Sequence, residues 1–171
     1  MNTLILIDMK MKRLTYSGFL MALLMVSACK KETYDYNITD QEVQPPNAGK
    51  TKLKTDGQYV SILYANLFQT ALSSNQLFQI TQCIESVGDK DLVREVVISN
   101  FMNRPDVIIP SDSLMRADID QFMEETYERF YVRHMTEAER TWFRNYIENH
   151  PNVRPELIYF SFALSNEYLF Y

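Results

Sequence analysis

Few side chains in this 171-residue chain could do chemistry: 2 His, 2 Cys and one crowded run of carboxylates. Asp118, Asp120, Glu124, Glu125 and Glu128 make up that run. Glu124 and Glu128 fall one helical turn apart, so a helix would carry both on one face. Paired carboxylates can hold a divalent cation or share acid–base work. An EF-hand loop, however, sets its oxygens at alternating positions around a glycine, and here Ile119 and Phe122 interrupt with core spacing. A glycosidase pair faces across a cleft at about 5–10 Å, which one helix face does not supply. The plainer reading is a solvated helix face, with no catalytic residue and no metal ligand assigned. His134 and His150 each fall near an expected helix end, where an imidazole can bond a last carbonyl. A metal or catalytic role is their competing use. His-Glu-x-x-His, Gly-x-Ser-x-Gly, phosphate-loop and Cys-x-x-Cys-His patterns do not occur.

Composition narrows the classes further. Four glycines are about a third of average usage, which argues against a multi-hairpin β fold and a nucleotide-cradling α/β fold. The charge is mildly acidic, 17 Lys+Arg against 22 Asp+Glu. A nucleic-acid partner is therefore not expected, because it would require a basic face. Aromatic residues are 13% of the chain, enough for one short domain to bury a substantial core.

The N-terminal segment reads as an address. Lys12 and Arg13 precede an apolar run from Phe19 to Val26, followed by small residues. That is the three-part plan of a secretory signal, and the run is too short to span a bilayer. Residues 1–28 are thus expected to be a signal peptide, with Met9 or Met11 as a possible start. Val26-Ser27-Ala28-Cys29 resembles the bacterial lipobox, in which an aliphatic and two small residues precede a cysteine. The resemblance implies a diacylglycerol on the Cys29 thiol, cleavage before Cys29 and an N-acyl chain such as palmitate on the new terminus, with no other cofactor. Cys-Lys-Lys-Glu at positions 29–32 resembles the start of many Bacteroidetes lipoproteins, which implies an outer-membrane address facing either the periplasm or the exterior. Cys83 would then be the one free thiol, either buried as a small hydrophobe or available for intermolecular pairing.

Residues 29–56 are polar and contain Pro45-Pro46 and Asn47-Ala48-Gly49, the composition of a lipidated flexible tether. From residue 57 to 171 the periodicity is helical, and the expected fold is all-α, a single compact bundle of about five to six helices. Val60, Leu63, Tyr64, Leu67, Phe68, Ala71 and Leu72 mark a first helix. Ser73 or Ser74 caps a second, carrying Leu77, Ile80, Thr81, Ile84 and Val87. Gly88 suits its stop, and Asp89 caps a third through Leu92, Val93, Val96, Val97 and Phe101. NRPDVIIP at 103–110 is a connector. Ser111 or Ser113 caps one long fourth helix burying Met115, Ile119, Phe122, Met123, Thr126, Tyr127 and Phe130. Thr136-Glu137-Ala138-Glu139 matches a capping box, opening a fifth helix with Ala138, Trp142, Phe143, Tyr146 and Ile147 inward. Pro155 suits the first position of a sixth, nearly all-apolar helix.

Residues 57–171 hold 18 aromatics. At helical spacing such residues usually form core, but this many tyrosine and tryptophan polar tips are hard to hide in one small domain. Tyr127, Tyr131, Trp142 and Tyr146 are therefore candidates for a partner surface. Tyr-Glu-Arg-Phe-Tyr-Val-Arg at 127–133, Thr136-Glu137, Trp142-Phe143 and Ser165-Asn166-Glu167-Tyr168 together resemble the helical pattern of domains related to phycobilisome linkers, over about 50 residues. Those domains usually carry Gly-Arg before the turn, where this chain has Val132-Arg133-His134. The expected function is a non-catalytic binding or assembly subunit of an envelope complex, held to the outer membrane by its lipid and meeting a protein partner there. The alternative is an envelope enzyme or accessory acting on glycan or peptide.

Overall fold

The computed structural model describes residues 42–171, so the signal and lipobox residues lie outside the described part. Seven α-helices and a closing 3-10 turn follow in order: α1 Asp56–Phe68, α2 Ser74–Ser86, α3 Lys90–Met102, α4 Asp112–Ala117, α5 Ile119–Tyr131, α6 Glu137–Asn149, α7 Pro155–Leu164 and the turn Glu167–Leu169. The all-α bundle is as expected. Among the described residues, no helix is long and apolar enough to cross a membrane.

The helix starts were written in the sequence. Ser73 and Thr136 each form a full capping box, with the hydroxyl accepting from the third backbone N–H and the Gln76 or Glu139 side chain reaching back. Asp89 caps α3, Ser111 caps α4, and Pro155 opens α7. Thr136 also gathers the Glu139 carboxylate at 2.8 Å from its own N–H. Thr136→Ala is therefore expected to cost about 1 kcal/mol, read as a lower urea midpoint at unchanged slope.

One expected helix is in fact two. The long fourth helix breaks at Asp118, which ends α4 and caps α5 with φ −149° and its carboxylate accepting from the Gln121 N–H. The apolar positions run through the break in phase: Met115 and Phe122 are both buried and Ile119 packs between them. Side-chain spacing therefore carries no trace of it. Other positions also depart from expectation. The first helix ends at Phe68, where Gln69 turns left-handed at φ 54°, so Ala71 and Leu72 lie beyond it. Leu92 and Val96 are exposed while their neighbours Val93 and Val97 take the inner face of α3. On α6, Ala138 and Trp142 point outward, leaving Ile147 buried and Phe143 and Tyr146 half-buried. Cys83 is exposed, on the side of α2 away from Ile84.

Helices α1, α2 and α3 pack on one another, α5 packs on α4, α6 and α7, and α3 meets α7. An aromatic cluster fills the space between. Phe130 lies 5.0 Å from Tyr159 and 5.6 Å from Tyr168, and Tyr168 meets Tyr59 edge-on at 5.7 Å. Both tyrosine hydroxyls in this contact are served: Tyr59 donates to the Ala163 carbonyl, and Tyr168 accepts from Asn66 at 2.9 Å. Burial raises the Tyr168 phenol well above its ordinary pKa, so it stays neutral.

Candidate functional site

Residues 42–55 were expected to belong to the tether, but they run as a strap along the helical unit. The Gln44 N–H donates to the Val132 carbonyl at 2.8 Å, and its carbonyl accepts from His134 at 3.0 Å. A turn at Pro45–Ala48 redirects the chain. Lys52 then exchanges both backbone bonds with Tyr171, and Lys54 donates to the Leu169 carbonyl at 2.9 Å. These are backbone bonds made by a polar segment. Hydropathy cannot register them, which is why the composition read as free chain.

Val132 receives the strap in a left-handed conformation, φ 54°. Its N–H ends α5 on the Glu128 carbonyl. A β-branched residue resists this region, where a glycine would sit without steric cost.

Beneath the strap lies a cleft of about 440 Å³. Its apolar walls are Ile62, Phe130, Tyr131, Val132 and Phe170, and its polar groups include Gln44, Lys50, Lys54 and Gln58, with exposed Glu42 also on its lining. Lys54 is 8% exposed. Its ammonium donates to the Tyr168 carbonyl and sits 4.1 Å from the Tyr168 ring centre. Among the described residues, no carboxylate pairs with it. Burial, with Lys50 nearby, pushes its pKa down to about 8. Lys50 is also lowered by burial, against an opposing pull from Glu167 at 3.7 Å.

Behind this cleft stands Arg133. Its guanidinium binds Glu167 at 2.6 and 2.9 Å and Glu139 at 2.8 and 3.1 Å. It also lies 4.8 Å from the Tyr127 ring centre. The hydrogen bonds it donates to Glu167 hold its pKa above the ordinary arginine value. Arg133 therefore ties α6 and the C-terminal turn to the end of α5.

The acidic stretch is largely spent on ion pairs between α5 and α6. Asp120 pairs with Arg144. Glu124 pairs with Arg140 at 2.8 Å and with His134 at 2.7 Å. Glu124, Glu128 and His134 bring three donor atoms within 4.8 Å of one another, a set of metal-ligand type. The Arg140 guanidinium on Glu124, however, already supplies the cation. His150 ends α6 as expected, with Nδ1 2.7 Å from the Tyr146 carbonyl.

The four aromatics proposed for a partner surface do not share one. Tyr127 and Tyr131 are buried, 3% and 7% exposed. Both lie on the inner stripe of α5 and pack edge-on to each other, against Phe162. Trp142 is exposed on α6 and stacks on half-buried Tyr146 at 5.1 Å and 9°. Sequence reasoning passed over Lys50, Lys54 and Arg133. One signal was available: Lys50, Lys52 and Lys54 alternate, so an extended segment would carry all three on one side. No protein-family model matches the chain, and no curated protein or solved structure matches it.

Proposed function

We propose that this chain is an outer-membrane lipoprotein, held through lipid on Cys29, whose helical unit is a non-catalytic binding or assembly subunit of an envelope complex. The anchor reading rests on Val26-Ser27-Ala28-Cys29 closing a short apolar run behind Lys12 and Arg13. The observation that carries the binding reading is Trp142. It is 57% exposed, yet its ring is fixed between Tyr146 and an edge contact with Phe143 at 4.8 Å. Tyr146 in turn meets His150 at 4.5 Å. A large aromatic surface already immobilised loses little side-chain entropy on docking, and Trp and Tyr dominate interface hot spots.

The test is affinity capture of the tagged, lipidated protein from solubilised membranes, followed by mass spectrometry. The expected result is one stoichiometric envelope protein, lost at least about tenfold in Trp142→Ala with an unchanged melting temperature. Capture with no stoichiometric partner would overturn the assembly reading.

A further inference from the structure

We infer that the cleft beneath the strap is a binding site for a small organic anion, with a single anionic head on Lys54 and an apolar body against Ile62, Phe130 and Phe170. The inference stands apart from the lipid anchor and from Trp142, so its failure would leave the proposed function untouched.

The argument begins with an unbalanced charge. A lysine ammonium has three donors. One goes to the Tyr168 carbonyl and the ring face of Tyr168 takes another side, neither of which carries a formal negative charge. Buried charges are ordinarily paired with an opposite charge. The nearby carboxylates are committed elsewhere: Glu167 to Arg133 and Lys50, and Glu139 to Arg133 and the start of α6. Only Glu42 is left among the lining acids, and it is exposed. Lys54 thus stands in the cleft wall without a counter-charge among the described residues.

Shape and lining then select the ligand class. About 440 Å³ is within the size range of small-molecule sites. An inorganic anion would leave most of that space, and its aromatic walls, unused. Gln44 and Gln58 can donate to the head's remaining oxygens. Lys50, half-buried on the same lining, adds a second positive charge that is only partly offset by Glu167 at 3.7 Å. A head of one negative charge balances Lys54 without overcharging the site. The strap supplies Gln44, Lys50 and Lys54, and the helices supply the apolar floor, so the site exists only while the strap is docked.

The experiment is a calorimetric titration of the full chain carrying Cys29→Ser. The probes are naphthalene sulfonate and its neutral counterpart, naphthalene sulfonamide, which share one apolar body. The expected result is saturable binding of one sulfonate per chain. Lys54→Met should weaken the sulfonate at least about tenfold, the worth of one charge-assisted hydrogen bond, and leave the sulfonamide unchanged. Absence of saturable sulfonate binding, or equal sulfonate affinity in Lys54→Met, overturns the inference. So does a wild type that binds both probes equally, which would mean apolar partition alone. If Lys54→Met fails to fold, Gly49→Trp decides. Gly49 is exposed on the cleft lining and a Cβ there meets nothing within 4 Å, so an indole at this position stands at the cleft mouth without altering charge or core. It should abolish sulfonate binding while the melt stays cooperative, and retained binding in that variant is equally fatal.

Discussion

Arg133→Met is expected to destabilise the helical unit by about 3 kcal/mol and lower its melting temperature by roughly 10 °C. Methionine matches much of the arginine stem in volume, so the loss is chiefly electrostatic: the ion pairs and the guanidinium's contact with the Tyr127 ring face go together. The arginine side chain is 7% exposed and holds both Glu139 and Glu167 in bidentate contact. Removing it leaves Glu139 without its cation and Glu167 with only Lys50 at 3.7 Å, in a site that keeps the two carboxylates only 29% and 31% exposed. That partial exposure places the cost at the low end of the range for breaking a buried pair. Arg133→Lys restores the charge but not the planar fork, and should recover only part of the loss. Adding Glu139→Gln and Glu167→Gln to Arg133→Met removes the orphaned charges and should recover most of it. A melting temperature within about 2 °C of wild type for Arg133→Met would show that the node carries no such weight.

The same node sets the acid limb of stability. Burial opposes ionisation of Glu139, but the hydrogen bonds from Arg133 and Thr136 together outweigh it and hold the carboxyl at about 2, against 4.5 for an ordinary glutamate. A depressed folded-state pKa contributes stability that is fully present above the unfolded value. The contribution is lost as pH falls from about 4.5 toward 2. In Arg133→Met that part of the acid limb should flatten, which a merely steric defect would not produce.

What was legible in the sequence was whatever is encoded locally. Thr136 with Glu139, Ser73 with Gln76, Asp89 and Pro155 mark helix starts because cap and partner lie within one turn. The buried stripe of α5 was legible because its period is that of a helix. Features that depend on partners distant in sequence were not. Asp118 breaks the backbone while leaving the apolar spacing from Met115 to Phe122 intact. Trp142 lies next to Phe143 and one turn before Tyr146, at the margin of the apolar stripe, so period alone cannot assign its side. The strap docks through main-chain bonds to residues about 90 to 120 positions away, which its polar composition conceals. Tyr127 and Tyr131 already satisfied the core pattern, and their phenols did not bring them to the surface. Tyr131 donates instead to Ser165 at 2.8 Å.

Cys29→Ala is expected to move the protein from the membrane fraction almost wholly into the soluble fraction. Each buried acyl CH₂ contributes about 0.8 kcal/mol, so one chain binds marginally and two or three hold durably. On the proposed lipidation, the substitution removes every one of those chains together. Among the described residues nothing replaces them: no helix is long and apolar enough to span a bilayer, and the exposed apolar side chains are scattered, Leu53, Phe78, Leu114, Trp142 and Leu157 on different elements and only Leu92 and Val96 sharing a helix. The check is fractionation after a high-salt wash, with palmitate labelling in parallel. Wild type should remain in the pellet and carry label, and Cys29→Ala should do neither. A variant that stays in the pellet would show that the apolar run from Phe19 to Val26 is retained as an anchor, or that the lipid reading is wrong. The melting temperature separates these outcomes from misfolding, because Cys29 precedes Gln44, the first pairing among the described residues, by 15 positions. That length spans at most about 50 Å when fully extended. Loss of the lipid should therefore release a unit whose strap, cleft and Arg133 node are unchanged, and whose partner binding falls only through lost confinement to the membrane.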